Sequence, residues 1–131
     1  MSSHYHAVVW IDHHEARIFH FNPAEVDRAV VRPNDPNVHI HHKAGSIGNG
    51  HAPEDQDFYQ RVAAKIADAG KVLLTGPANA KTELVKHLHR KHPELIENLA
   101  GIETVDHPSD AALVAHARHY FKAADRMGPQ R

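Results

Sequence analysis

From Ala7 to Ile11 every side chain is apolar: Ala7, Val9 and Ile11 fall on one side of an extended chain, Val8 and Trp10 on the other. A β-branched and aromatic run of this kind predicts a strand over residues 6–12 that is covered on both faces and central in its sheet. Polar residues 12–15 then form a turn. Apolar character returns over 16–21, where Asn22 and Pro23 stop it. A third run at 26–31 completes three strands joined by short turns, an antiparallel meander.

Beyond residue 53 the period of the apolar positions changes from two to about 3.6. Phe58, Tyr59, Val62, Ile66 and Ala69 lie on one helical stripe, while Asp57, Gln60 and Asp68 face away. Pro53 opens this helix, Glu54, Asp55 and Asp57 sit where its dipole favours acids, and Gly70 ends it. The short run 71–75, cut off by Gly76 and Pro77, reads as an interior strand. A helix over about 78–92 points Ala80, Leu84, Val85 and Leu88 inward and Asn79, Lys86 and Arg90 outward. Residues 93–99 form one further short turn or helix, Gly101 resets the chain, and 102–106 is a last strand. Ser109, after Pro108, is the N-cap of a final helix with Leu113, Ala117, Tyr120, Phe121 and Ala124 as its buried stripe.

The order is therefore β-β-β-α-β-α-β-α. Crossovers through helices are right-handed and make the later strands parallel. The predicted fold class is α/β, a mixed five-stranded sheet flanked by helices: a three-strand antiparallel meander plus two parallel strands, similar in order to ribonuclease H-like domains. A chain of 131 residues is expected to be a single domain, 1–131, interrupted by a His/Gly-rich loop at about 33–53. That interval holds Val38, His39, Ile40, His41, His42 and Lys43 and then Gly45, Ser46, Ile47, Gly48, Asn49, Gly50 and His51, a stretch no core could absorb.

Composition changes the picture in three ways. The chain has no cysteine, which excludes disulfides, thiolate nucleophiles and Cys-ligated zinc. It has no apolar run near the length of a membrane helix and no signal-like start, so a soluble, cytoplasmic protein is expected, with no membrane partner. Its 15 Lys and Arg balance 16 Asp and Glu, but 15 histidines make the charge, and the pull on phosphate, depend on pH below about 6.5.

Several side chains could carry chemistry. Asp12, Glu15, Asp106 and Asp110 stand where a two-metal ribonuclease H-like site would want carboxylates. Thr75, Gly76 and Pro77 end the fourth strand where such an enzyme has another acid, which leaves the set incomplete and makes strand-end and capping roles the competing reading. Gly76, Pro77, Ala78, Asn79, Ala80, Lys81 and Thr82 imitate a phosphate loop but lack its second glycine. His39, His41, His42 and His51 could bind zinc with imidazole and water, the basis of an alternative expectation: a metal-binding protein or metal-dependent hydrolase. His87, His89 and His92, interleaved with Lys86, Arg90 and Lys91, make the end of the second helix basic. That favours the helix dipole and also suits contact with a phosphate backbone.

Phe58 and Tyr59, the Gly76-Pro77 turn with Lys81, the loop His41, His42, Lys43, Ala44, Gly45 and Ser46, and Asp106, His107, Pro108, Ser109 and Asp110 before the last helix carry a family likeness. The chain resembles, over most of its length, the middle domain of archaeal and eukaryotic class-1 peptide-chain release factors and of Pelota, and the short bacterial relatives termed translational machinery proteins. In release factors the loop after the third strand carries a Gly-Gly-Gln tip that promotes peptide release. Here the matching residues are Gly45, Ser46, Ile47, Gly48, Asn49 and Gly50, without that tripeptide. The resemblance implies a translation-associated accessory protein, more a binder than an enzyme, acting in rescue, hibernation or a release-factor-like role with the ribosome or RNA as partner. Loop contact would fall to His41, His42, Lys43, Gly45, Ser46, Gly48, Asn49, Gly50 and His51, and phosphate contact to Lys81, Lys86, Arg90 and Lys91. A homodimer remains an open alternative.

Overall fold

The two-sided apolar run near the N-terminus becomes β1 (His6–Ile11), the middle strand of a five-stranded sheet. The computed structural model of the chain describes residues 5–33 and 53–127, with the backbone alone at 53–55 and 124–127. Antiparallel to β1 runs β2 (Ala16–Phe21), and antiparallel to that β3 (Val26–Val31). On the other side of β1 lie β4 (Lys71–Gly76) and β5 (Leu99–Thr104), both parallel to it. The helices are α1 (Pro53–Ile66), α2 (Ala80–Lys91), the single turn α3 (Pro93–Ile96) and α4 (Asp110–Met127). The expected mixed sheet and element order are what the structure contains, with strand order β3-β2-β1-β4-β5.

Alternation in β1 sorts its side chains into two cores. Ala7, Val9 and Ile11 meet α1 and α2 through Phe58, Tyr59, Val62, Ile66, Leu84 and Leu88. Val8 and Trp10 meet α4 through Leu113, Val114, Ala117 and Phe121. All five residues expected on the α1 stripe are buried. Ser109 caps α4 as expected, its Oγ accepting the Ala112 amide at 3.1 Å.

The last strand differs from the expectation of 102–106. It starts three residues earlier, because Leu99 packs against the α1–α2 core and Ala100 against the α4 core, with a register shift opposite Val72 and Leu73. Gly101 is therefore inside the strand. A Cβ there would collide with the Tyr120 hydroxyl, which donates to the Ala100 carbonyl at 2.9 Å. Gly76 has a comparable role at the end of β4, where a Cβ would run into the Ile11 carbonyl oxygen.

Candidate nucleic-acid interface

Residues 80–91 form a helix because Ala80, Leu84 and Leu88 repeat on one side and bury themselves against the sheet, while Glu83 in the first turn and His89, Arg90 and Lys91 in the last complement the helix dipole. This construction leaves a cationic C-terminal end. Lys86 and Arg90, four residues apart, share one exposed flank, and Lys91 follows on the next. Lys86 pairs with Glu83 at 3.8 Å, and Arg90 donates from Nη2 to Gln56 Oε1 at 2.9 Å. Lys81 is not brought to this group. It lies ten residues from Lys91, roughly 15 Å along the axis. Its side chain is buried, and Nζ donates to the Ala78 carbonyl at 2.7 Å.

His87, one of the histidines that make this end basic in sequence, is only 2 % exposed. It faces α1, where Nδ1 stands 3.0 Å from Gln56 Oε1 and Nε2 stands 3.1 Å from Gln60 Oε1. His92, just past the helix, reaches the same Gln60 atom through Nε2 at 2.9 Å. Burial, then the charges of Arg90, His92 and Lys91, push the His87 imidazole below the usual histidine value. It adds no charge to the patch near neutral pH. Instead, through Gln56, it shares the contact that holds Arg90 against α1. Sequence periodicity could have flagged it: position 87 borders the stripe Ala80, Leu84 and Leu88, three residues after Leu84.

The acids near the sheet's other end are engaged locally. Asp12 Oδ1 accepts the amides of His14 and Glu15 at 2.8 and 2.9 Å, closing the β1–β2 turn. Glu15 meets Arg32 at 3.2 Å. Asp110 accepts from Arg17 Nη1 at 2.5 Å and from Arg28 Nε at 2.8 Å, and the hydrogen bond from Arg17 leads in holding its carboxyl below the ordinary aspartate range. Asp106 is exposed; its carbonyl accepts from Trp10 Nε1 at 2.6 Å, and its carboxylate meets His107 Nδ1 at 3.1 Å.

The expectation of zinc is corrected. Among the described residues no group of three or more histidines or carboxylates could hold a metal ion, and the chain has no cysteine to supply a thiolate ligand. His39, His41, His42 and His51, named for that site, lie outside the described residues. So do the other loop positions: Lys43, Gly45, Ser46, Gly48, Asn49 and Gly50. No helix among the described residues is long and apolar enough to cross a membrane.

No family model and no curated protein matches the chain. Solved structures do. Pelota of Archaeoglobus fulgidus superposes on 87% of this chain with a TM-score of 0.60 at 16% identity. Pelota of Thermoplasma acidophilum superposes on 95% with a TM-score of 0.60 at 14% identity. The archaeal translation termination factor aRF1 superposes on 93% with a TM-score of 0.52, also at 14% identity. The match takes in 30%, 36% and 38% of those proteins, so this chain spans about a third of their length. With its β3-β2-β1-β4-β5 sheet and helices on both faces, the chain has the ribonuclease H-like fold that serves as the middle domain of Pelota and aRF1.

Proposed function

We propose that this chain is a cytoplasmic, translation-associated accessory protein that binds the ribosome or RNA without catalysing a reaction of its own, in a rescue, hibernation or release-factor-like role. The observation that carries the reading is the fold shared along 87% or more of the chain with Pelota and with aRF1, the latter a translation termination factor. Charge supports it. Lys86, Arg90 and Lys91 offer a compact cationic end of α2, suited to phosphates, which position a protein on nucleic acid without specifying sequence. The loop residues Lys43 to His51 would make the second contact; they contain no Gly-Gly-Gln, so ester hydrolysis is not part of the proposal.

The test is sedimentation with ribosomes across a salt series. Replacing Lys86, Arg90 and Lys91 together by glutamate should abolish association, and neutral replacements should lower the salt slope of log K by about 2–3, for three phosphate contacts. Association that survives the glutamate triple variant unchanged removes α2 as the contact.

A further inference from the structure

The hydrogen-bond inventory around His87 closes in two ways that differ in protons. Arg90 Nη2 donates to Gln56 at 2.9 Å, and because a guanidinium has only donors, that end of the Gln56 amide is its oxygen. His87 Nδ1, 3.0 Å from the same oxygen, must donate to it and therefore carries a hydrogen in either charge state. In the neutral ring Nε2 is then an acceptor. It lies 3.1 Å from the end of the Gln60 amide that His92 Nε2 also meets, at 2.9 Å; that end carries Oε1 in the structure, and a half-turn of the amide puts the NH2 group there instead.

With His87 neutral, the amide end between the two rings must be the NH2 group, giving one N–H to each Nε2. His92 then carries its hydrogen on Nδ1, the atom that faces the Glu94 carboxylate at 3.7 Å. With His87 doubly protonated, its Nε2–H needs an acceptor, and the Gln60 oxygen, turned between the rings, can accept from both. His92 must then carry a hydrogen on Nε2.

We propose that Gln60 is a two-position relay: its amide turns over when His87 takes up a proton, and the turn obliges His92 to hold a hydrogen on Nε2, so that the basic end of α2 changes charge and bonding as one unit. Among the described residues, His87 is faced by Arg90 and Lys91 from its own helix, by His92 just beyond it, and by Gln56, Tyr59 and Gln60 from α1. Glu94 faces His92 from α3. The cations and the burial both oppose the added charge, so the neutral arrangement is the resting one and the relay operates on acidification. Its consequence, a cationic α2 that grips phosphate harder as pH falls, rests on the RNA-binding reading; the relay itself does not.

Nitrogen NMR of the full chain with labelled imidazoles reads the relay directly. Above neutral pH, Nε2 of both rings should be unprotonated; on acidification His92 Nε2 should gain its hydrogen in step with His87 Nε2. Gln60→Met should make the two changes independent. A His92 Nε2 that already carries its hydrogen at high pH, or one that changes out of step with His87 in the unaltered chain, overturns the proposal. Should Gln60→Met fail to fold, His92→Ala serves: the Gln60 side-chain amide signals must still move with His87, and fixed signals overturn the proposal equally. A parallel titration with a short uridine oligonucleotide should show binding tighten by about threefold for each charge gained roughly 6 Å from a phosphate in water. Gln60→Met should lessen that steepness. No RNA binding at any pH beside linked nitrogen signals rejects the RNA reading and leaves the relay standing; RNA binding beside unlinked signals rejects the relay alone.

Discussion

Removing the Asp110 carboxylate should loosen the start of α4 from the sheet by an amount the structure sets. Its two oxygens accept from Arg17 at 2.5 Å and from Arg28 at 2.8 Å, tying α4 to both β2 and β3. The Arg17 side chain is only 11% exposed and lies over the Trp10 ring with its carbon 4.6 Å from the centroid. A hydrogen bond to such a charge contributes about 1.5–3 kcal/mol. The Arg28 side chain is 53% exposed, so that pair is worth only about 0.2–1 kcal/mol, and the acid in the first turn of α4 adds about 0.3–1 kcal/mol through the helix dipole. Arg17 keeps its bond to the Pro108 carbonyl at 3.0 Å, and the side vacated by a carboxylate 42% exposed readmits water. After that discount, Asp110→Ala should cost about 2–3 kcal/mol, or about 7–11 °C in Tm for a chain of this length. Because the folded carboxyl sits below its unfolded value, the contribution is complete well above about pH 4 and disappears as pH falls through the folded value. Urea unfolding followed by Trp10 fluorescence, at neutral pH and near pH 3, measures both. A neutral-pH loss under about 0.5 kcal/mol, or a loss undiminished in acid, would refute this account.

Other outcomes follow from the same packing. His87 holds its proton less readily when folded, so its contribution to stability is complete above about pH 6.5 and declines as pH falls below that, toward the folded value; His87→Met should flatten this part of the stability profile in urea melts. Leu84→Ala, at a fully buried site between α2 and the sheet, should cost about 2–5 kcal/mol by the same assay. Gly101→Ala must displace the Tyr120 hydroxyl from the Ala100 carbonyl and should cost about 1–3 kcal/mol, with Tyr120→Phe relieving part of that loss.

The elements whose patterns were decided by burial on regular faces were legible. β1 declared its central place by being apolar on both sides, and α1 by five apolar residues on one stripe. What escaped the pattern was decided between elements. β5 is an edge strand, and apolar Ile102, which drew the expected boundary toward 102–106, is 51% exposed; pairing with Val72 and Leu73 sets the true start at Leu99. Polar residues of α2 misled in the same way. Lys81 and His87 read as part of an outward basic helix, yet both are buried: Lys81 folds back onto the Ala78 carbonyl three residues before it, while Gln56 and Gln60 of α1 receive His87 from the neighbouring element. Helical periodicity records which side a residue occupies. It does not record whether the neighbouring element brings an amide to meet it.

The same distinction governs what the fifteen histidines mean. Histidine abundance suggests a surface that turns cationic as pH falls, but a ring beside a carboxylate adds little outward potential, since its charge, once gained, is compensated where it forms. Four of the described rings stand in that position: His20 near Asp68, His92 near Glu94, His107 between Asp12 and Asp106, and His116 against Glu103. Exposed pairs of this sort are also worth little to stability. His87 differs from these four, with amides instead of acids at both nitrogens and the cations Arg90 and Lys91 just beyond it. A proton gained there adds to Arg90 and Lys91 without local compensation. The part of the pH sensitivity that His87 supplies therefore falls at the end of α2, where the charge needed for a phosphate backbone already lies.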